Sequence, residues 1–266
     1  MDISCTGELP TSRFHKDNLT WSGSYPIETE QQKTIAKDAD DMRRMFAEKK
    51  PELAKWRPLQ LEVIVAAKTA HDDQNILVHM RTGSGKTLIY QTLASLNGCD
   101  EVTLVITPLT ALKSEQFQRA SDLGIDCMEM KGDEKEETQR KALSLRQNVD
   151  CQLLFLTPEM MTKNKDVEKL LKHLKHTKRL KRAVIDEAHY VAACDDSFRP
   201  RYRQLGETIG KLDVPVLMLT ATITPHVLTT LLDEFRLKAT RDLFFRGEVE
   251  NSLRDHVISA HPKRSV

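Results

Sequence analysis

Apolar residues fall into two kinds of run along this chain. Short β-rich runs occur at Ile76-Leu77-Val78, Val102 to Ile106, Leu153 to Leu156, Ala183-Val184-Ile185 and Val216 to Leu219. Between them lie longer stretches with helical patterning: Thr87 to Leu96, Leu109 to Leu123, Lys135 to Leu145, Val167 to Leu174 and Pro225 to Phe235. Strands that read as continuous apolar runs are buried on both faces, and their alternation with helices predicts βαβ units around a mainly parallel sheet. The expected fold class is α/β, a doubly wound sheet over residues 51–245.

Ahead of that region, residues 28–50 are rich in Glu, Gln, Lys, Asp and Ala, with Ile35, Met42, Met45 and Phe46 at roughly helical spacing. This predicts a charged, solvated helix with one narrow apolar stripe, ended by Pro51. Residues 1–27 show no sustained period and read as a loosely ordered leader. Lys163 to Arg182 is crowded with basic residues, which fits either a solvated helix and loop or a phosphate contact.

Composition narrows the class. The chain has 266 residues, 39% apolar and 30% charged, enough for one sizeable core with an appendage. Forty Lys and Arg against thirty-nine Asp and Glu give a net charge of +1, so any basic surface is local. Cys5, Cys99, Cys127, Cys151 and Cys194 form no C-x-x-C pair, which argues against a disulfide framework or a zinc site. No stretch approaches the roughly 18 apolar residues of a membrane span. His173 and His176 share a helical face on a Lys-rich segment and are assigned no metal role.

The chemistry begins after the first strand, at Met80-Arg81-Thr82-Gly83-Ser84-Gly85-Lys86-Thr87. A glycine-rich turn between strand and helix is the context of a phosphate-binding loop. Gly83 and Gly85 let successive N–H groups point inward, and the helix start offers its positive end to phosphate. Lys86 is expected to reach the β and γ phosphates of ATP, and the Thr87 hydroxyl to ligate Mg²⁺. Met80 stands where the generic pattern has its first Gly.

After Ala183-Val184-Ile185 comes Asp186-Glu187-Ala188-His189. Alone, such a pair serves equally well to cap a helix. About a hundred residues after a phosphate-binding loop, it points to Asp186 in the Mg²⁺ shell and Glu187 polarising the attacking water. The strand from Val216 to Leu219 ends in Thr220-Ala221-Thr222, two hydroxyls at the same sheet edge that are candidates to couple the nucleotide state to a second ligand.

Taken in order, these motifs resemble those of superfamily 2 helicases, and the resemblance to the RecQ family covers about Ala54 to His256. It implies a RecA-like ATP-binding domain of a 3′ to 5′ DNA helicase, with Lys86, Asp186, Glu187 and His189 catalytic and Thr82, Gly83, Ser84, Gly85, Lys86 and Thr87 on the phosphates. Trp56-Arg57-Pro58-Leu59-Gln60 resembles the segment whose Arg and Gln read adenine, here Arg57 and Gln60. Thr107-Pro108-Leu109 with Lys113, and Thr157-Pro158-Glu159, resemble motifs Ia and Ib, which touch the phosphodiester backbone. Phe198-Arg199-Pro200 with Tyr202 and Leu205 resembles the string after the family's aromatic-rich loop, implying DNA contact by Phe198 and coupling by Arg199. The family's place in DNA repair and recombination implies nuclear residence.

Two departures qualify the resemblance. Cys194, Asp195, Asp196 and Ser197 stand where Trp, Gly, His and Asp are typical, so a stacking aromatic is replaced by acidic side chains that repel phosphate. Phe244-Phe245-Arg246, Asn251, Arg254 and His256-Val257 resemble the family's passage into a second motor domain, which supplies an arginine finger, yet the sequence stops at Val266. Residues 246–266 are accordingly expected to begin a linker, and the chain to bind ATP but turn it over slowly. A degenerate nucleotide- or nucleic-acid-binding module without turnover is the alternative, and an unrelated P-loop ATPase or kinase a more distant one.

Overall fold

A computed structural model describes residues 20, 22–107, 110–130, 135–147, 150–193, 199–238 and 240–247, the side chains of 110, 111, 135, 193 and 199–203 excepted. The element order is α1 (Glu30–Lys49), α2 (Gln60–Thr69), β1 (Ile76–His79), α3 (Lys86–Ser95), β2 (Val102–Ile106), α4 (Thr110–Asp122), β3 (Cys127–Glu129), α5 (Lys135–Arg146) and β4 (Leu153–Leu156). It continues with α6 (Pro158–Lys163), α7 (Lys165–His176), β5 (Leu180–Ile185), α8 (Tyr190–Ala193), α9 (Arg199–Gly210), β6 (Val216–Thr220), α10 (Pro225–Glu234) and β7 (Leu243–Arg246).

The strands form one sheet in the order β3-β4-β2-β5-β6-β1-β7, every described pairing parallel. Successive side chains of a strand point to opposite faces, and both faces are covered. Leu104, Ile106, Leu154, Leu156, Ala183, Ile185 and Met218 pack under α5 to α10. Val78, Val105, Leu153, Phe155, Val184, Leu217 and Leu219 pack with α1 to α3 and with Ala120 and Leu123. This double burial is why the strands read as unbroken apolar runs.

Two strands differ from expectation. β3 carries Cys127, Met128 and Glu129 at the sheet margin, too short to register as an apolar run. Phe244-Phe245-Arg246, expected to lead out of the domain, forms most of β7 and pairs with β1 in the register Val78 to Phe245. α1 forms behind a Thr29 capping box in which Gln32 and Thr29 exchange hydrogen bonds. It is less solvated than expected, since Ala39 and Phe46 are buried against the domain, whereas Met45 of the expected stripe is exposed. The basic Lys163 to Arg182 segment becomes α7 and β5, with Val167, Leu170, Leu171 and Leu174 buried and Lys172 exposed in an i,i+4 pair with Glu168. Among the described residues, no helix is long and apolar enough to cross a membrane.

Candidate functional site

In a parallel sheet all strands end on one edge, where ligands of open α/β folds bind. β1 leads there into the glycine-rich loop, β5 into the acidic box, and β6, which lies between β1 and β5, into the threonine pair. Three motifs far apart in sequence thus become neighbours.

Gly83 (φ 76°) and Gly85 (φ 79°) take left-handed backbone conformations that L side chains rarely adopt. Gly85 is also a contact point: a Cβ there would sit 2.4 Å from Gln60 Nε2. Gln60, 1% exposed at the start of α2, accepts a hydrogen bond from the Arg57 N–H (2.8 Å) and donates to the carbonyls of Ser84 (3.2 Å) and Gly85 (2.9 Å). Its amide braces the loop, and the residue also lines the cleft beside Arg57, with which it was expected to read adenine. Arg57 is exposed and lines the cleft in front of the loop.

Lys86, the first residue of α3, is 8% exposed; its ammonium donates to the carbonyls of Met80 (3.2 Å) and Arg81 (3.3 Å) and lies 3.9 Å from Glu187 Oε1. Asp186 is 3% exposed. Burial, reinforced by the neighbouring Glu187 charge, pushes its carboxyl up to about 6, against the Gln116 amide and the Glu187 N–H, which hold it down. Gln116 Nε2 donates to Asp186 Oδ2 at 2.5 Å, and the Glu187 N–H to Oδ1 at 3.0 Å.

Glu187 has φ 51°, a strained conformation for a residue with a side chain. Its Oε2 lies 3.3 Å from His189 Nδ1, and that contact chiefly holds the carboxyl below its ordinary range. His189 Nδ1 is also 3.1 Å from Thr220 Oγ1. The Thr220 hydroxyl donates its one proton to the Thr222 carbonyl (3.0 Å) and accepts from the Thr222 N–H (3.2 Å), so the proton facing it belongs to His189 Nδ1. Charge contacts from Lys86 to Glu187 and from Glu187 to His189, and hydrogen bonds from there to Thr220 and Thr222, thus set these five residues in series.

A cleft of about 530 Å³ joins these groups, lined by Arg57, Gln60, Thr82, Gly83, Gly85, Lys86, Thr87, Asp186 and Glu187, and closed by Gln91, Glu115, Gln116 and Arg119. Sequence reading missed Gln91 and Gln116. Both are buried, and Gln91 Nε2 and Gln116 Oε1 have no hydrogen-bond partner among the described residues. No motif signalled Gln116; its position three residues after Lys113 on one turn of α4 was the available clue.

The other expected residues lie as follows. Thr107 and Thr157 end β2 and β4 on the same edge, 0% and 8% exposed. Lys113 corrects an expectation: at 1% exposure, its ammonium pairs with Glu129 Oε1 (3.4 Å) and donates to the Met130 carbonyl (2.5 Å). It pins α4 to β3 and has no surface for a phosphate. Arg199 begins α9, with its side chain outside the described residues, and Leu205 is buried. Phe198, Cys194, Asp195, Asp196, Ser197, Asn251, Arg254, His256 and Val257 lie outside the described residues.

The chain is 34% identical over 193 residues to the ATP-dependent DNA helicase hus2/rqh1 of Schizosaccharomyces pombe, covering 71% of this chain and 14% of that protein. It is 32% identical to the RecQ-like DNA helicase BLM of Xenopus laevis (84% of this chain, 16% of that protein) and 36% identical to the ATP-dependent DNA helicase Q1 of Mus musculus (84% and 32%). The chain thus spans less than a third of the length of these relatives. In three dimensions it is similar to the DEAD-box helicase Mss116p bound to ssRNA and AMP-PNP, with a TM-score of 0.63, 14% identity, and coverage of 88% of this chain and 48% of that one. It is also similar to the helicase MrfA bound to DNA and AMPPNP, with a TM-score of 0.60, 16% identity, and coverage of 85% and 30%. Residues 57–231 match the DEAD/DEAH box helicase family, and with the RecQ-like relatives this shows the chain to be a RecA-like superfamily 2 helicase domain of that family, similar to the RecQ DNA helicases.

Proposed function

We propose that this chain is the ATP-binding motor domain of a RecQ-like 3′ to 5′ DNA helicase. The observation that carries this reading is the cleft in which Lys86, the buried Asp186 and the strained Glu187 face one another across a glycine-rich loop. The cleft fits Mg·ATP in its donor chemistry. Magnesium takes hard oxygen ligands, one or two carboxylates together with substrate phosphates, so Asp186 and the Thr87 hydroxyl suffice without an all-protein cage. The unpartnered Gln91 Nε2 and Gln116 Oε1 are polar groups that a bound ligand or its water would satisfy.

In this reading Lys86 and the backbone N–H groups of Thr82 to Thr87 hold the phosphates, while Arg57 and Gln60, the latter also bracing the loop, hold the base. Asp186 and Thr87 hold Mg²⁺, whose charge offsets that developing on the transferred phosphoryl group. Glu187 orients the attacking water, its carboxylate kept ionised by His189 and Lys86. His189, Thr220 and Thr222, with Arg199, relay the nucleotide state along the sheet edge. Phe198 belongs to the DNA-facing surface, with Thr107 and Thr157, both buried at their strand ends, supporting it from beneath; Lys113 is a structural anchor. The DNA helicase relatives support DNA as the partner, and work on DNA is the ground for proposing a nuclear setting. Strand separation requires a second motor domain or partner chain with an arginine finger, worth about 10³ to 10⁵ in rate.

A second reading, binding without turnover, is favoured by Cys194, Asp195, Asp196 and Ser197 in the loop that the family fills with a stacking aromatic. Steady-state ATP hydrolysis with and without single-stranded DNA separates the two, with Glu187→Gln as the blank. Slow turnover above that blank, accelerated by DNA, is the expected result. ATP binding with turnover equal to the blank would replace it with the second reading.

A further inference from the structure

Gln116 stands out among the cleft residues because no expectation for the site used it. It sits on α4, is 5% exposed, and joins the cleft to the base of the acidic box. A carboxylate only accepts hydrogen bonds, so the group 2.5 Å from Asp186 Oδ2 is the amide nitrogen. The other end of the same amide, Oε1, is buried and has no partner among the described residues. An amide oxygen left unsatisfied carries the desolvation cost of that group, which a donor arriving with the ligand would offset.

We propose that Gln116 is a positioning residue of the magnesium site: its N–H fixes the Asp186 carboxylate in one orientation, and its Oε1 accepts a hydrogen bond from a water of the bound Mg²⁺. This rests on the Mg·ATP reading above. The charge logic supports it. Asp186 lies among protein atoms with the Glu187 carboxylate beside it, and the donor aimed at it from outside the acidic box is Gln116. Gln116 holds Oδ2 and the Glu187 N–H holds Oδ1, which fixes the carboxylate plane and leaves a lone pair on each oxygen for the cation, the kind of arrangement by which outer residues tune metal affinity about 10- to 100-fold.

The test is ATP binding by the 266-residue chain, followed by titration calorimetry across Mg²⁺ concentrations and repeated in EDTA, with Gln116→Met and Gln116→Leu. Met retains the length of the side chain and Leu its apolar bulk, so folding of one variant suffices; thermal melting identifies which is folded. The expected result is a rise of about tenfold or more in the Mg²⁺ concentration for half-maximal enhancement of ATP binding. Any loss of metal-free ATP affinity should be several-fold smaller than the shift in the Mg²⁺ midpoint, a split that a general loosening of the cleft does not produce. An unchanged Mg²⁺ midpoint in a folded variant overturns the role of Gln116 while leaving the Mg·ATP site in place. A parent chain whose ATP binding ignores Mg²⁺ overturns the site reading and the role together.

Discussion

At the scale of single residues, the site stores unfavourable electrostatics. Asp186 is buried next to another carboxylate, and its carboxyl moves from 3.8 to about 6. Between about pH 4 and 6 the unfolded chain has released a proton that the folded chain still holds, so stability falls as pH rises through that window and the deficit is complete above it. Asp186→Asn, which keeps an acceptor for Gln116, is therefore expected to stabilise the fold by about 2–3 kcal/mol at pH 7.5 without Mg²⁺. The gain should vanish below about pH 4, as read by urea denaturation at the two pH values; equal stability of both proteins at pH 7.5 would contradict it. The positions of Lys86, Asp186 and Glu187 were legible because motif spacing encodes them. Lys113 was misjudged because sequence gives a residue's type but not its partner, and the partner was Glu129; the loop carbonyls held by Gln60 were likewise invisible in the sequence.

At the scale of elements, the phosphate-binding loop is held between two constraints. Its own left-handed glycines shape it, and α2 presses on it through Gln60. Gly85→Ala meets both, a backbone penalty of about 1–2 kcal/mol and a methyl group driven onto Gln60 Nε2. The expected outcome is a lower urea midpoint by Trp fluorescence, part of which returns in Gly85→Ala with Gln60→Ala, since the two sites are in contact. Additive losses would show that the Gln60 brace is not what Gly85 accommodates. The central strands were readable because burial on both faces leaves mostly apolar residues, Thr103 and Arg182 being buried exceptions. β3 and β7 sit at the margins, where a three-residue strand ending in Glu129, or an aromatic pair taken for a domain exit, carries no such mark.

For the whole molecule, strand order brings the function together. With β6 between β5 and β1, the acidic box, the threonine pair and the glycine-rich loop meet on one edge although more than 130 residues separate Lys86 from Thr220. The α/β class and the sheet's parallel sense followed from pattern alone. The order of the strands did not, because adjacency is decided by crossovers that leave no local signature. The central claim, an Mg·ATP site built on that edge, is tested most directly by ATP binding to this chain in millimolar Mg²⁺ beside Lys86→Ala. The account predicts saturable binding by the parent and at least tenfold weaker binding by the variant, whose lost ammonium no longer meets the phosphates. Equal affinities, or no binding by the parent at several millimolar ATP, would contradict it.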